Sequence, residues 1–326
     1  MIQWNVPRIG ALLVLTMLGW GAALAGCSAM PGASSPAPTE ASRVTTPPAP
    51  SAAALRVSGM REPESVLYDS ARDRYLVSNI NGNPFAADDN GFIAWLNPAG
   101  EVVRARWIDG ADPAVVLDAP KGLAIISDTL YVADITVVRR FDLATGAARG
   151  AITVPGATFL NDLVAAPDGT LYVSDTGLRA TADGFAESGT DAIHRIAPDG
   201  TVTPLATGAA LGHPNGLALL PDGGLLVNTL NSSRQIYRVG ADGQPRDVRG
   251  VPGGQLDGLI VLPDGSVLLS SWETNTVYRL RPTGQTETVF SDPGSPAADF
   301  GFDTGRDRLL IPLFAANTVL IVSLAQ

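Results

Sequence analysis

The sequence predicts an all-β fold, a six-bladed β-propeller, and three observations support this prediction. The stretch "FLNDLVAAPDGTLYVSDTGL" at Phe159–Leu178 holds two short apolar runs around a Pro-Asp-Gly turn, which is the pattern of a β-hairpin. Similar stretches recur at intervals of roughly 40 residues, the period of propeller blades. Runs that alternate between apolar and polar residues follow each hairpin, and no long stretch repeats with the helical period.

The blades can be counted from the polar residue that precedes the first apolar run of each copy. These residues are Glu64, Lys121, Asn161, Asn215, Asp257 and Asp299. The last copy ends after only three strand-like runs, whereas the segment "AALRVSG" precedes the first blade. We therefore predict that this N-terminal strand completes the last blade and closes the ring, so that no open sheet edge remains there.

Two blades carry long inserts. These are "NGNPFAADDNG" in the first blade and "GLRATADGFAESGT" in the third. Long loops on a rigid scaffold often form or cover a binding site.

The first 26 residues are typical of a secretory signal peptide. Arg8 is the only charged residue before Cys27, and an apolar run of small and aliphatic residues follows it. The run ends in "LAGC", which resembles the lipobox of bacterial lipoproteins, in which the cysteine receives the lipid. Cys27 is also the only cysteine, so the exported protein has no intramolecular disulfide. The alternative is an uncleaved anchor helix with a free thiol, since the run is just long enough to span a bilayer.

Three domains follow from this organisation: a lipoprotein signal peptide at 1–26, a tether at 27–54 and the propeller at 55–326. The tether is rich in Pro, Ala and Ser and cannot bury enough apolar surface to fold. The net charge of −10 argues against nucleic acid as a partner. We expect a monomer that is anchored to a membrane of the bacterial cell envelope, on its periplasmic or extracytoplasmic face.

Polar side chains should converge at one mouth of the propeller. The first strand of each blade lines the central channel, and the second strand returns to the same face. The residues at the end of each second strand, which face the same mouth, are Asn79, Asp134, Asp175, Thr229, Ser271 and Leu313.

The polar residues at this mouth suggest a metal site. Crowded carboxylate and amide oxygens favour a hard divalent cation, with Ca²⁺ as the first candidate and Mg²⁺, Mn²⁺ or Zn²⁺ as alternatives. Lys121 could neutralise one carboxylate. The alternative is structural, because Asp and Asn often bond free backbone groups where strands begin.

Four stretches carry a resemblance to a known family. "ESVLYD", "FLNDLVAAPDG", "HPNGLALLPDG" and "LDGLIVLPDG" resemble the gluconolactonase, regucalcin (senescence marker protein) and luciferin-regenerating-enzyme family. The resemblance implies a six-bladed propeller that holds a divalent metal in its channel and hydrolyses lactones and related esters. By position it implies Glu64, Asn215 and Asp257 as metal ligands, and Asp257 as the general base. It also implies that Asn161 contacts the metal or the substrate.

The sequence departs from the family pattern at three places. The family's Glu-Gly-Pro signature reads Glu64-Ser65-Val66 here, and the arginine of the sugar-lactone members is replaced by Phe159. The second change indicates a substrate less polar than a sugar lactone. Lys121 is also unusual for this ring of residues.

The resemblance, together with the polar ring, thus implies a metal-dependent hydrolase that acts on a small-molecule lactone or ester. Asp257 would take a proton from the attacking water, and Asn161, Lys121 and Asp175 would contact the substrate. The Gly-x-Ser-x-Gly motif of serine hydrolases does not occur. The alternative is a non-catalytic envelope propeller that binds a peptide, a glycan or a protein partner, since a propeller can serve as a rigid platform.

Overall fold

The computed structural model describes residues 54–231 and 233–324, which form β-strands and the turns that join them. The predicted signal peptide, the lipidation site at Cys27 and the tether up to residue 53 lie outside the described residues. The only helical element of the described part is a single 3-10 turn at Ala209–Leu211. No helix in this part of the chain is long and apolar enough to cross a membrane.

The first half of the ring contains three four-stranded blades and one additional hairpin. Strand β1 (Leu55–Ser58) comes first in the chain. Blade 1 consists of β2 (Pro63–Asp69), β3 (Arg74–Asn79), β4 (Phe92–Leu96) and β5 (Val102–Asp109). Blade 2 consists of β6 (Pro120–Ile126), β7 (Thr129–Asp134), β8 (Val137–Asp142) and β9 (Ala148–Thr153). Blade 3 consists of β10 (Leu160–Ala165), β11 (Leu171–Asp175), β14 (Ala192–Ile196) and β15 (Val202–Thr207). The hairpin inserted in blade 3 consists of β12 (Leu178–Thr181) and β13 (Gly184–Glu187).

The second half contains the other three blades. Blade 4 consists of β16 (Pro214–Leu219), β17 (Leu225–Thr229), β18 (Gln235–Val239) and β19 (Pro245–Gly250). Blade 5 consists of β20 (Leu256–Val261), β21 (Val267–Ser271), β22 (Thr276–Leu280) and β23 (Thr286–Ser291). Blade 6 consists of β24 (Gly301–Asp303), β25 (Arg308–Leu313), β26 (Thr318–Ser323) and β1. The six-bladed all-β prediction is confirmed.

The ring closes through the N-terminal strand, as predicted. β1 pairs antiparallel with β26 as the outer strand of blade 6, with Leu55 opposite Ile321. Near the channel, the Asp299 N–H donates to the Glu64 carbonyl at 2.8 Å, and the Val66 N–H donates to the Asp299 carbonyl at 3.3 Å. The pairing of β1 thus completes the outer edge of blade 6, and the backbone bonds of Asp299 join blade 6 to blade 1 near the channel.

Apolar side chains fill the space between neighbouring blades. One cluster contains Leu76 and Ile93 of blade 1 together with Leu123 and Leu130 of blade 2, all nearly fully buried. Each fully buried side chain of this kind stabilises the fold by roughly 1.5–3 kcal/mol. Comparable clusters join the other blades, so the strands that line the channel are held by a packed scaffold.

Candidate functional site

The inner strands of blades 1 to 5 share one irregularity near their first residue. In blade 1, Glu64 and Ser65 of β2 together face only Ser78 of β3, which is a β-bulge. The same shift occurs at the matching place in the inner strands of blades 2, 3, 4 and 5. A bulge re-aims side chains relative to the regular alternation of a strand. These bulges hold five of the predicted channel residues: Glu64, Lys121, Asn161, Asn215 and Asp257.

Side chains of the second strands bond the backbone N–H groups that the bulges leave unpaired. In blade 1 the Ser65 N–H donates to Ser78 Oγ at 2.9 Å. In blade 4 the Gly216 N–H donates to Asn228 Oδ1 at 2.8 Å. The same role in blades 3 and 5 is taken by Ser174 and Ser270. Sequence analysis missed these supporting residues, although a Ser or Asn recurs as the penultimate residue of each of these second strands.

Asn215 and Asp257 are in direct contact. The amide nitrogen Nδ2 of Asn215 donates to Asp257 Oδ1 at 3.1 Å and to the Leu256 carbonyl at 3.0 Å. The indole N–H of Trp272 donates to Asp257 Oδ2 at 2.7 Å. These bonds fix the Asn215 amide so that its Oδ1 is buried without a hydrogen-bond partner, and Glu64 Oε2 is in the same condition.

Burial and mutual repulsion raise the pKa values of the channel carboxyl groups. At Glu64 burial is the main cause of a pKa well above the usual range, and the charges of Asp257 and Asp299 add to it. Burial and the charge of Asp299 raise the pKa of Asp257 to about 7, against the opposing hydrogen bond from Trp272. Burial raises the pKa of Asp299 to about 7, although the Ser65 hydroxyl donates to it at 2.5 Å. Such a group of carboxyls requires either protons or a cation.

The donor set fits a hard divalent cation. The unpartnered oxygens of Glu64 and Asn215 and the carboxylate of Asp257 are the ligand types that Ca²⁺ accepts. Within the described residues, no group of three or more His, Cys, Asp and Glu side chains is arranged to hold a metal. The protein ligands would therefore be two carboxylates and one amide, and water or substrate would complete the coordination. The assignment of these three residues as metal ligands stays a prediction.

Lys121 and Asn161 are buried in the same ring of bulges. The Lys121 ammonium lies 4.3 Å from the centre of the Phe159 ring and donates to the carbonyls of Ala119 at 3.1 Å and Pro84 at 3.4 Å. Burial lowers the pKa of Lys121 to about 8, against the raising effect of the Glu64 charge. The structure thus gives Lys121 two carbonyl acceptors and an aromatic ring, and no ion pair within 4 Å is found for it in the described part.

Asn161 is bonded across to blade 4. Its Nδ2 donates to Thr176 Oγ1 at 3.1 Å, and that hydroxyl donates to the Pro214 carbonyl at 3.0 Å. The side chain is 5% exposed, so its position is fixed by the protein.

Asp175 fastens the segment that leads into β10. Its two carboxylate oxygens accept the N–H groups of Thr158, Phe159 and Gly177 at 2.9–3.2 Å. Asp134 bonds two backbone N–H groups in the same manner in blade 2. Asp134 and Asp175, which were expected to face the channel mouth from the ends of the second strands, thus bond backbone N–H groups just before the inner strands. Substrate contact by Asp175 stays a prediction.

Comparisons with known proteins identify the family of the chain and agree with its fold. A family model described as the SMP-30/gluconolactonase/LRE-like region matches residues 84–311. The chain belongs to this family. No curated protein sequence matches the chain. Among solved structures it is similar to a gluconolactonase from Xanthomonas campestris, at 23% identity and a TM-score of 0.62, over 82% of this chain and 89% of that chain. It is also similar to the virginiamycin B lyase from Staphylococcus aureus, at 14% identity and a TM-score of 0.58, over 84% of this chain and 99% of that chain. At these identities the two structures support the fold alone.

In this member of the SMP-30/gluconolactonase/LRE-like family the candidate site is closely enclosed. Glu64 and Asp257 are each 4% exposed and Asn215 is 1% exposed. Two surface cavities are lined by other residues. One is lined by residues 204–207, 210–211 and 243–245, and the other by residues 67–72, 123–125, 127 and 163–165.

Proposed function

We propose that the protein is a metal-dependent hydrolase of lactones or related esters. Its family membership supports this activity, as does the similarity of its fold to a gluconolactonase. The single observation that carries the proposal is the pair of buried oxygens without a partner, Glu64 Oε2 and Asn215 Oδ1, next to the carboxylate of Asp257. Buried polar atoms in folded proteins are almost always hydrogen-bonded, so an unpartnered pair points to a bound ligand.

The residues of the site have distinct roles in the proposed reaction. A divalent cation held by Glu64, Asn215 and Asp257, with Ca²⁺ preferred over Mg²⁺, Mn²⁺ or Zn²⁺, would polarise the substrate carbonyl and stabilise the charge that develops on its oxygen. Asp257 accepts a proton from the attacking water, while the indole N–H of Trp272 holds its Oδ2 in place. The water oxygen bonds to the carbonyl carbon and the ring C–O bond breaks. The leaving oxygen then takes up the proton, and the product is a hydroxy acid.

Asn161 and Lys121 are the proposed substrate contacts. Both lie in bulges equivalent to those of Glu64 and Asn215, so they share the same ring of the channel. Asp175 supports them by bonding the backbone of residues 158 and 159. Each of these side chains is at least nine-tenths buried, which gives a bound substrate fixed partners.

A metal-depletion experiment tests the proposed function. The purified protein is treated with a chelator and screened against a panel of lactones and aryl esters, alone and with Ca²⁺, Mg²⁺, Mn²⁺ or Zn²⁺. We expect hydrolysis to be lost on chelation and restored by at least one cation. An absence of metal-dependent hydrolysis across the whole panel would favour the non-catalytic binding propeller instead.

We also propose that the protein is exported and anchored to the cell envelope through a lipid on Cys27. The signal-like segment and the "LAGC" stretch support this localisation. Several acyl chains add roughly 0.8 kcal/mol per buried methylene, which is enough for stable anchoring. Mass spectrometry of the membrane-extracted protein is expected to find an acylated N-terminal Cys27. An unmodified Cys27 in a chain that still carries residues 1–26 would contradict this proposal.

A further inference from the structure

Three phenylalanine rings meet beside the candidate site. The ring of Phe85 packs on that of Phe159, with centroids 4.5 Å apart, and on that of Phe185, with centroids 6.3 Å apart. Phe159 lies two residues before Asn161, and its ring contacts the Lys121 ammonium. Lys121 in turn interacts electrostatically with Glu64. The three rings, which we call the phenylalanine wall, are therefore directly connected to the channel residues.

Two rings of the phenylalanine wall come from the long inserts. Phe85 lies in the connection between β3 and β4, and Phe185 lies on β13 of the hairpin inserted in blade 3. Phe159 is 7% exposed, whereas Phe85 and Phe185 are only half-buried. The two inserts thus place partly exposed aromatic surface at the channel mouth. Covering such surface with an apolar ligand stabilises the complex by removing it from water.

The polar side chains around this wall are already bonded to one another. The hydroxyls of Thr158, Ser188 and Thr190 form a closed triangle with O–O distances of 2.7–2.9 Å. The Asn161 Nδ2 is bonded to Thr176, and two N–H groups of the Lys121 ammonium are bonded to carbonyls, so the Asn161 oxygen and the third Lys121 N–H remain for the proposed substrate contacts. A hydroxyl group of a ligand placed here would lose its hydration and find few free partners, which is costly.

We propose that the substrate of this site carries an apolar substituent, about the size of one aromatic ring, which packs on Phe85 and Phe185 while the lactone or ester carbonyl lies at Glu64, Asn215 and Asp257. This inference rests on the proposed function and narrows it to hydrophobic lactones and esters. A polyhydroxylated sugar lactone is disfavoured, because its hydroxyls would face the phenylalanine wall. The polar part of the substrate is confined to the ring of bulges.

A substrate pair measures the contribution of the phenylalanine wall. The ratio of kcat/KM for γ-phenyl-γ-butyrolactone to that for γ-butyrolactone is expected to be well above one for the wild-type protein with its cation. Removing one aromatic contact in Phe85→Ala or Phe185→Ala should lower this ratio about tenfold. Phe290→Ala is the matched control, since Phe290 is also half-buried but lies on β23, the outer strand of blade 5. It should leave the ratio unchanged.

A binding measurement keeps this inference separate from the proposed reaction. A phenyl-substituted cyclopentanone has the ring and the carbonyl but no bond to hydrolyse. Its affinity, measured by calorimetry, should exceed that of cyclopentanone and should fall in Phe85→Ala. If no lactone is hydrolysed but this difference is observed, the proposed function fails and the apolar site stands. The inference is overturned by a different pair of results: gluconolactone is hydrolysed in preference to the phenyl lactone, and the variants keep the wild-type ratio of kcat/KM. Hydrolysis of unsubstituted lactones would still support the proposed function in that case.

Discussion

Replacing Asp257 with Asn is expected to lower kcat/KM for lactone hydrolysis by at least about 10³-fold. An amide at this position cannot take a proton from water, and it supplies no negative charge to a cation. Both losses act on the same step, so the effect should exceed that of removing a single substrate contact. The measurement is the rate of acid release from the substrate that emerges from the screen, with the restoring cation at saturation.

The propeller should remain folded in this variant. Asn has nearly the same shape as Asp, and the Trp272 indole can still donate to its side-chain oxygen. Removing a buried carboxyl whose pKa is raised to about 7 also relieves the repulsion from Asp299. The matched control is Asp264→Asn, which makes the same change in the same blade at an exposed turn. Full turnover by Asp257→Asn would contradict the assignment of Asp257 as the general base. Equal losses of activity in both variants would indicate damage to blade 5.

The architecture could be predicted from the sequence because each blade repeats its own local signals. The Pro-Asp-Gly turns at Asp168, Asp222 and Asp264 mark the hairpins between first and second strands in blades 3, 4 and 5. The missing fourth strand of the last copy identified the segment around Leu55 as the closing strand, and β1 takes that place. These are short-range patterns of period two joined by turns, which a single sequence displays directly.

The detailed site could be predicted only in part. The polar residue that begins each inner strand was visible in the sequence, but the bulge that contains it depends on the pairing with the next strand. Alternation places Asn79, Asp134 and Asp175 at the same mouth as the channel residues, but it does not identify the groups that they bond. In the structure Asn79 accepts the Arg61 N–H at 2.8 Å, and the two aspartates bond the backbone before β6 and β10. These bonds join residues whose partners cannot be identified from spacing.

The meeting of the two inserts could not be predicted either. Their length indicated a role at a binding site, but the packing of Phe85 on Phe185 joins residues that lie in different blades. Such a contact is set by the closure of the ring and not by any local pattern. The substitution at Phe159 was the one sequence signal for an apolar substrate, and the structure adds two further rings to it.

Ca²⁺ is expected to stabilise the protein more at about pH 7 than at about pH 5. Burial and neighbouring charge raise the pKa of Asp257 to about 7, and burial raises that of Asp299 to about 7, whereas an unfolded Asp titrates near pH 4. Between these values the folded, metal-free protein binds more protons than the unfolded chain, so its free energy of unfolding falls as pH rises. A cation that displaces these protons prevents this fall in the free energy of unfolding. The added stabilisation should grow by about 2–3 kcal/mol per displaced proton over this range.

Urea unfolding of the chelated and the Ca²⁺-saturated protein at both pH values provides the measurement. His213, whose pKa is raised to about 9, and His194, whose pKa is lowered, are not proposed ligands, so their contributions cancel in the difference. Glu64, whose pKa burial raises well above its usual range, is a proposed ligand and adds to the Ca²⁺ effect in the same direction. Lys121 stays charged over this range because its pKa is about 8. Asp257→Asn should lose most of the Ca²⁺ effect and Asp264→Asn should keep it. A Ca²⁺ effect that is absent at both pH values, or larger at the lower one, would show that the channel carboxyls do not hold this cation.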